Sequence, residues 1–240
     1  MRSVRRGALR PDRRAPGVML DQIAANPALE ACANDGRRSG NGSWVYQHGR
    51  AELASGHFTL AKRDFEAALA AGYRVAGVEL GMLLSQPSAA MLDVPHAVSL
   101  YEQAWNRGVT IAAFELGGLY EHGVSRAGTK KDESLLAPDQ ARAWFWYQKG
   151  ADAGEPNALA RLAQRDDSAA FLAQSTGEKV SHWLDSFRHY TAAAERARNE
   201  NWPDEAWRDW RYRRASLARL LAREGMMQQV ADAYVAAGKQ

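Results

Sequence analysis

The chain has 240 residues, of which 46% are hydrophobic and 25% are charged, so it has enough apolar material for one large or two small globular domains. It contains no run of about 18 consecutive apolar residues, which excludes a membrane-spanning helix, and its single cysteine excludes an internal disulfide. The net charge is +3, but residues 1–14 alone carry +5 and the rest of the chain sums to −2. The positive charge therefore belongs to the N-terminal segment, and the remainder of the chain is not a basic domain.

Residues 1–19 form an arginine-rich segment without the apolar stretch of a secretory signal. Its proline and glycine residues predict a disordered basic tail. We therefore expect a cytoplasmic protein, or a periplasmic one if a signal lies upstream of this chain. The excess of arginine over lysine and the abundance of alanine favour a bacterial origin.

Residues 20–43 are predicted to form a short helix and a loop. Asn26 precedes Pro27, a pair typical of a helix N-cap and its first helical position, and we expect the helix to end near Asp35. Residues 36–42 are rich in glycine and polar side chains and predict a loop. Cys32 has no histidine partner in a recognisable motif, so we expect a small buried side chain rather than a catalytic thiol.

Three segments align without gaps over about 20 residues, beginning at Ala61, Ala97 and Ala143. Each has alanine, an aromatic residue, a small residue and glycine, followed by alanine, leucine and a second small residue. The matching columns are Ala61/Ala97/Ala143, Phe65/Tyr101/Tyr147, Ala68/Ala104/Gly150, Gly72/Gly108/Gly154, Ala76/Ala112/Ala158, Leu80/Leu116/Leu162 and Gly81/Gly117/Ala163.

The spacing of these columns predicts pairs of helices. Offsets of 0, 4 and 7 residues lie on one helix face, and glycine at offset 11 is the residue that most easily ends a helix in the left-handed conformation. The small residues allow close approach of two helix backbones, while the aromatic side chain fills the remaining space. We predict helix pairs over residues 44–55 with 59–71, 74–85 with 95–107, and 110–122 with 138–153, then a shorter helix over 156–165.

These residues resemble the Sel1-like repeat. The match is closest at Trp146, Tyr147, Lys149, Ala151 and Gly154, and again in the segment FELGGLYEHGV. A further set has the small, small, aromatic and small spacing of a tetratricopeptide repeat: Gly49, Ala61, Phe65 and Ala68.

The resemblance covers residues 44–165 and implies an all-α, right-handed α-solenoid of Sel1-like/TPR-like helix pairs. The sequence departs from the pattern in the long connection between Glu121 and Asp139, and at Ala163, which stands where glycine is usual. From residue 166 to residue 240 the pattern weakens. We predict helices over residues 178–199, 203–224 and 226–237 as a capping region that closes the array, with a separate helical domain as the alternative.

The family resemblance implies a candidate binding surface. In TPR-like arrays the first helix of each pair lines the concave face, and carried over by register this face holds Tyr46, Arg50, Val78, Met82, Phe114 and Glu121. An apolar stripe with charged borders suits a partner helix or an extended peptide. At each single position, packing between neighbouring repeats is an equally good interpretation.

Three other motifs are weaker candidates. The segment from Gly123 to Lys130 lacks lysine directly after its second glycine and follows a helix, so a surface insertion is favoured over a P-loop. His182, Asp185 and His189 share a helix face that suits a metal, but a solvated polar face is the commoner outcome. In the segment 202–214, i, i+3 spacing predicts that the tryptophans pack inward and that the arginines pair with Asp204, Glu205 and Asp209.

No catalytic constellation is present, so the sequence predicts a non-enzymatic scaffold or adaptor that binds another protein and needs no cofactor. Nucleic acid is an unlikely partner, and two alternatives stay open. The first is a nucleic-acid-binding module that uses the arginine-rich tail and the segment from Trp202 to Arg214. The second is a metal-dependent enzyme centred on His182 and His189.

Overall fold

Helices account for nearly all the regular structure in the computed structural model, which describes residues 23–24, 26–29, 42–86, 91–126 and 134–238. The repeat region contains the helices α1 (Gly42–Ala54), α2 (Phe58–Ala70), α3 (Ala76–Leu84), α4 (Val94–Asn106), α5 (Ile111–His122), α6 (Gln140–Asp152) and α7 (Pro156–Leu172). The long connection between α5 and α6 contains the strands β1 (Val124–Ser125) and β2 (Ser134–Leu136). The remaining elements are α8 (Thr176–Asn199), a 3₁₀ turn (Asp204–Trp207), α9 (Arg208–Arg223) and α10 (Met227–Ala237).

The described residues fall into two compact units, unit 1 up to Trp146 and unit 2 from Tyr147 onward. In unit 1 each helix from α1 to α5 contacts the next one along the chain, and α3 also contacts α5. This stacking of helices in sequence order is the α-solenoid arrangement, so the predicted all-α solenoid fold is confirmed. The right-handed sense of the array stays a prediction.

The repeat columns form the core as predicted. The column alanines Ala61, Ala97 and Ala143 are fully buried, and so are the aromatic residues that follow each of them by four positions. A Cβ added at Gly81 would lie 2.9 Å from the Tyr101 ring, and one added at Gly49 would lie 2.9 Å from the Phe65 ring. The small residues therefore admit the aromatic rings against the facing helix backbone.

The repeat glycines end their helices as the sequence predicts. Gly72, Gly108 and Gly154 have φ of 84°, 82° and 75°. In each case the following N–H donates to the carbonyl five residues earlier, as from Val109 to Ala104 at 3.0 Å. This bond satisfies a carbonyl at the helix end and turns the chain into the next helix.

Unit 2 is organised around α8, which contacts α7, α9 and α10. Ser175 caps α8 by accepting a hydrogen bond from the Glu178 N–H at 3.2 Å. Phe187 of α8 is buried, and Leu217 and Leu221 of α9 are buried as well. The predicted helices of this region are confirmed as α8, α9 and α10.

Several predicted boundaries differ from the structure. α1 begins at Gly42, which the sequence placed in a loop, and α9 begins at Arg208 after a 3₁₀ turn instead of at residue 203. α7 continues to Leu172, well beyond the predicted end at residue 165, so the predicted division between residues 165 and 166 lies inside an unbroken helix.

The long connection after α5 contains a short antiparallel hairpin that the sequence did not predict, in which Val124 pairs with Leu136. In the N-terminal region, where the sequence predicts a short helix that begins at Asn26 and Pro27, residues 26–29 are helical. The basic tail, Cys32, the helix end near Asp35 and the loop over residues 36–41 lie outside the described residues.

Candidate partner-binding surface

Two of the predicted surface residues form a buried polar group with Glu79, which was not among the predicted residues. Tyr46 and Arg50 lie one turn apart on α1, and the Tyr46 hydroxyl donates to Glu79 Oε1 of α3 at 2.9 Å. Arg50 Nε lies 3.8 Å from the same carboxylate oxygen, and Arg50 and Glu79 are only 1% and 3% exposed. The prediction that Tyr46 and Arg50 line an open face is therefore corrected: both side chains join α1 to α3 inside unit 1.

Val78 is also buried, which corrects its predicted place on the same face. The segment of α3 is apolar on all sides apart from Glu79, and a helix of that composition is covered by its neighbours. In TPR-like arrays, one side of the first helix of each pair is exposed on the concave face, and the prediction placed Val78 on that side. In this chain that side of α3 is covered at Val78.

The remaining three predicted residues keep partial exposure. Met82 lies on α3 one turn after Val78, and Phe114 and Glu121 lie two turns apart on α5. Because α3 and α5 are in contact, the two apolar side chains belong to neighbouring helices of one array. The predicted surface is thus reduced to Met82, Phe114 and Glu121.

Sequence reasoning missed a polar seam between α1 and α2. His48 Nδ1 of α1 lies 2.5 Å from Asp64 Oδ2 of α2, and His57 Nδ1 lies 2.7 Å from Glu52 Oε2. Asp64 and Glu52 are both buried. The i, i+4 spacing of His48 and Glu52 was visible in the sequence, but only the fold brings Asp64 to the same place.

Two of the three candidate metal ligands on α8 have other partners. His189 Nδ1 lies 2.7 Å from Asp166 Oδ2 of α7, and Asp185 accepts from Arg188 at 3.0 Å. Among the residues that the structure describes, no group of three His, Cys, Asp or Glu side chains converges as a metal site would require. His189 therefore joins α8 to α7.

The loop compared with a P-loop begins at Gly123, which ends α5 with φ of 64°, and continues into β1. A Cβ at Gly123 would lie 2.5 Å from the Leu136 carbonyl, so this glycine lets the hairpin close against the helix end. A P-loop requires a strand before the loop and a helix after it. Residues 127–133, which include Thr129 and Lys130, lie outside the described residues.

The tryptophans of the segment 202–214 pack inward as predicted. Trp202 and Trp207 are buried against Ala194 and Ala197 of α8, and Trp210 packs against the same cluster. Buried rings present no open face for stacking on nucleic-acid bases.

The ion pairs of the arginines in this segment match the prediction only in part. Arg211 pairs with Asp204 at 3.7 Å, whereas Arg213 pairs with Asp167 at 2.7 Å and Arg214 with Glu195 at 3.7 Å. Two of these arginines therefore join α9 to α7 and α8 instead of pairing within their own segment.

Two groups close to Asp167 have raised pKa values. Asp167 also accepts a hydrogen bond from the Ser186 hydroxyl at 2.7 Å. Its hydrogen bond with Arg213 raises the pKa of that guanidinium above its usual value. Burial, together with the Asp167 charge, raises the pKa of Tyr190 to about 12.

Unit 2 contains a cleft of about 760 Å³ that the sequence did not predict. Alanines of α8 and α10 leave the space open because their side chains are short. The Arg196 side chain forms part of its wall and lies directly over Gly154, where an added Cβ would be 2.7 Å from Arg196 Nε. Charged groups of both signs, together with His189, line the cleft: Asp152, Arg188, Arg196 and Asp232.

Comparison with known proteins identifies similar solved structures. One is the Sel1 repeat protein from Oxalobacter formigenes, with 14% identity, a TM-score of 0.43, and coverage of 80% of this chain and 83% of that chain. Another is a protective antigen present in uropathogenic Escherichia coli strains and displaying an SLR fold, with 18% identity, a TM-score of 0.45, and coverage of 88% of this chain and 48% of that chain. No protein-family model matches the chain, and no curated protein matches it.

No helix among the described residues combines the length and the apolar character needed to span a membrane.

Proposed function

We propose that this protein is a Sel1-like repeat scaffold that binds another protein through the array of unit 1, and that it acts without catalysis. The observation that carries the proposal is the pair Met82 and Phe114. They are large apolar side chains that stay partly exposed on two neighbouring helices of the array. Apolar groups held on rigid neighbouring helices suit the apolar face of a partner helix or an extended peptide.

Three buried residues of unit 1 hold in place the helix that carries Met82. Tyr46, Arg50 and Glu79 hold α1 against α3 through the hydroxyl and guanidinium contacts to one carboxylate. A partner would not touch them, but the position of Met82 on α3 depends on them. Glu121, which lies 4.0 Å from the His122 ring, forms the charged border of the surface.

The proposal is tested by crosslinking in the native host followed by purification and mass spectrometry. Wild type is compared with Met82→Ser/Phe114→Ser, and the matched control is Phe58→Ser/Leu60→Ser, which removes two exposed apolar side chains from α2. We expect wild type and the control to recover the same stoichiometric protein and the surface variant to lose it.

Two results would count against the proposal. If the surface variant and the control both keep the partner, the scaffold stands but Met82 and Phe114 do not form its binding surface. If all three forms recover no stoichiometric protein, the scaffold function itself is wrong. Thermal unfolding of each variant shows whether a lost partner reflects a lost fold.

A further inference from the structure

The cleft in unit 2 has walls of opposite charge. Among the described residues that line it, those of α8 include two arginines, Arg188 and Arg196, and no acidic side chain. Those of α10 include Asp232 and no cationic side chain, and Asp152 at the end of α6 adds a second carboxylate. The α8 wall therefore attracts an anionic group, and the α10 wall attracts a cationic one.

Contacts within unit 2 hold these side chains at the cleft. The Arg196 guanidinium lies directly over Gly154, where the missing Cβ leaves room for it. One carboxylate oxygen of Asp232 accepts from a glutamine one turn earlier on α10, at 2.9 Å. Arg188 pairs with Asp185 at 3.0 Å, but exposed pairs of this kind are weak and leave the guanidinium able to bind a ligand. Side chains held in this way lose less freedom when a ligand binds.

The surface between the charged groups is apolar and consists mainly of short side chains: Ala151, Leu159, Ala192 and Ala233. The cleft volume of about 760 Å³ falls within the range of about 300–1,000 Å³ that is usual for small-ligand sites. Such a lining suits a ligand of a few residues with small side chains, and a single amino acid would fill only part of it.

The two charged walls are close enough for a short peptide to reach both. α8 and α10 are in contact, and the axes of packed helices lie about 8–10 Å apart. An extended tripeptide spans about 10 Å between its ends. A peptide of this length can therefore place its carboxylate against an arginine of α8 and its ammonium group against Asp232.

A second observation on the α10 wall supports a ligand that carries N–H groups. Gln229 Oε1 is buried and accepts no hydrogen bond from the described residues. A buried amide oxygen without a donor is uncommon in folded proteins. Gln229 lines the cleft and is partly exposed, so rotation of its side chain presents this oxygen to a peptide N–H.

We propose that this cleft binds a short peptide of small residues as a zwitterion, with its free carboxylate against Arg188 and Arg196 and its free ammonium group against Asp232. Arginine binds a carboxylate through two parallel hydrogen bonds. A ligand with charge of one sign would be attracted by one wall and repelled by the other. The site lies within unit 2, and it goes beyond the proposed scaffold function, which uses a surface of unit 1.

The test measures binding of trialanine to the isotope-labelled full chain by NMR chemical-shift titration. N-acetyl-trialanine lacks the ammonium group and trialanine amide lacks the carboxylate, so the three probes differ only at their ends. We expect trialanine to bind with a Kd of about 1 mM or below. Each blocked peptide should bind at least about tenfold more weakly.

Two substitutions assign one end of the peptide to each wall. Arg196→Gln should weaken trialanine binding at least about fivefold and abolish the preference for trialanine over its amide. Asp232→Asn should weaken it similarly and abolish the preference for trialanine over the acetylated form. The matched controls are Arg198→Gln and Asp209→Asn, which remove the same charges at exposed positions outside the cleft and should bind all three probes as wild type does.

Ala236→Phe tests the location of the site without a change in charge. Ala236 lines the cleft, so the larger ring should occupy the space and prevent binding of trialanine. Thermal unfolding shows that each variant is folded. Met82→Ser/Phe114→Ser, which changes unit 1 only, should bind trialanine as wild type does.

Three results would overturn the proposal. They are the absence of binding by wild type at about 10 mM trialanine, equal binding of trialanine and either blocked peptide, and equal binding by wild type and Ala236→Phe. Failure of trialanine to bind leaves the result of the crosslinking experiment unaffected, and loss of the crosslinked partner leaves the peptide result unaffected.

Discussion

Unit 1 and unit 2 use charged side chains between helices in different ways. In unit 1 the contact of Arg50 and Tyr46 with Glu79 is fully buried beneath the repeat columns. In unit 2 the pair between Arg213 and Asp167 stays partly open to solvent, with the Arg213 side chain 43% exposed. A buried charge that loses its partner costs several kcal/mol, whereas an exposed pair contributes about 0–1 kcal/mol. Removal of a charged partner should therefore lower the free energy of unfolding more in unit 1 than in unit 2. The following substitutions test that difference.

The largest effect is expected for Glu79→Ala in unit 1. It removes the carboxylate that accepts from Tyr46 and lies against the buried Arg50, so the free energy of unfolding should fall by about 3 kcal/mol or more. Urea unfolding followed by tryptophan fluorescence measures this. The control is Glu66→Ala, which breaks an exposed i, i+4 pair with Lys62 and should cost about 0.5 kcal/mol or less. Similar costs for the two substitutions would remove the distinction between buried and exposed charges in this unit.

The second effect concerns the close approach of helices in unit 1. Gly81→Ala places a Cβ 2.9 Å from the Tyr101 ring, and overpacking of this kind should lower the free energy of unfolding by about 2 kcal/mol. Gly77→Ala on the same helix is the matched control, because its Cβ would meet nothing closer than 3.6 Å. There alanine should be neutral or stabilising by up to about 1 kcal/mol. Equal effects at the two glycines would show that the aromatic column does not set the distance between α3 and α4.

The third effect tests the polar link of unit 2. Asp167→Asn weakens the contacts from Arg213 and Ser186, and we expect a loss of about 1.5 kcal/mol, less than for Glu79→Ala because the arginine is partly solvated. Asp185→Asn, which changes an exposed pair with Arg188, is the control and should cost about 0.5 kcal/mol or less. A loss for Asp167→Asn as large as that for Glu79→Ala would contradict the proposed difference between the units.

The smallest effect is a dependence on alkaline pH. The folded state holds the Tyr190 proton more tightly than the unfolded state, because its pKa is raised from 10.0 to about 12. Its contribution to stability is complete below about pH 10 and is lost as the pH rises towards 12. At about pH 11 the loss should be on the order of 1 kcal/mol in wild type and absent for this residue in Tyr190→Phe.

Urea unfolding between neutral and alkaline pH measures this loss, with Tyr212→Phe as the control at an exposed phenol. Part of the alkaline decline should persist in Tyr190→Phe, because burial and the charge of Glu115 raise the pKa of Tyr101 in unit 1 well above its usual value. Parallel curves for wild type and Tyr190→Phe would show that Tyr190 does not contribute.

The repeat columns made most of unit 1 predictable. Alanine, aromatic and glycine positions at fixed offsets gave the helix pairs, their buried faces and their C-terminal turns, as Ala97, Tyr101 and Gly108 show. The same rules did not predict that α7 runs on to Leu172. Asp166 and Asp167 interrupt the apolar pattern, but in the structure they face His189, Ser186 and Arg213 and lie in mid-helix.

The exposure of the candidate surface residues was predicted correctly for only half of them, for a similar reason. Register in a repeat places a residue on a face of its helix, but the neighbouring helices decide whether that face is open. Val78 and Phe114 occupy the same column, yet Val78 is buried and Phe114 is partly exposed. The partners of Arg213 and Arg214 were likewise not predictable, because they lie on α7 and α8.

The amino-acid sequence by itself determined the all-α class, the helix pairs and the aromatic-on-small packing, because these depend on spacings of a few residues that hydrophobic periodicity records directly. The tertiary structure alone decided which charged side chains meet, as in Tyr46 and Arg50 with Glu79, and Arg213 with Asp167. Those partners are tens of residues apart and no local period links them. Their meeting depends on how the helices stack, and that stacking also decides which side chains remain open to a partner.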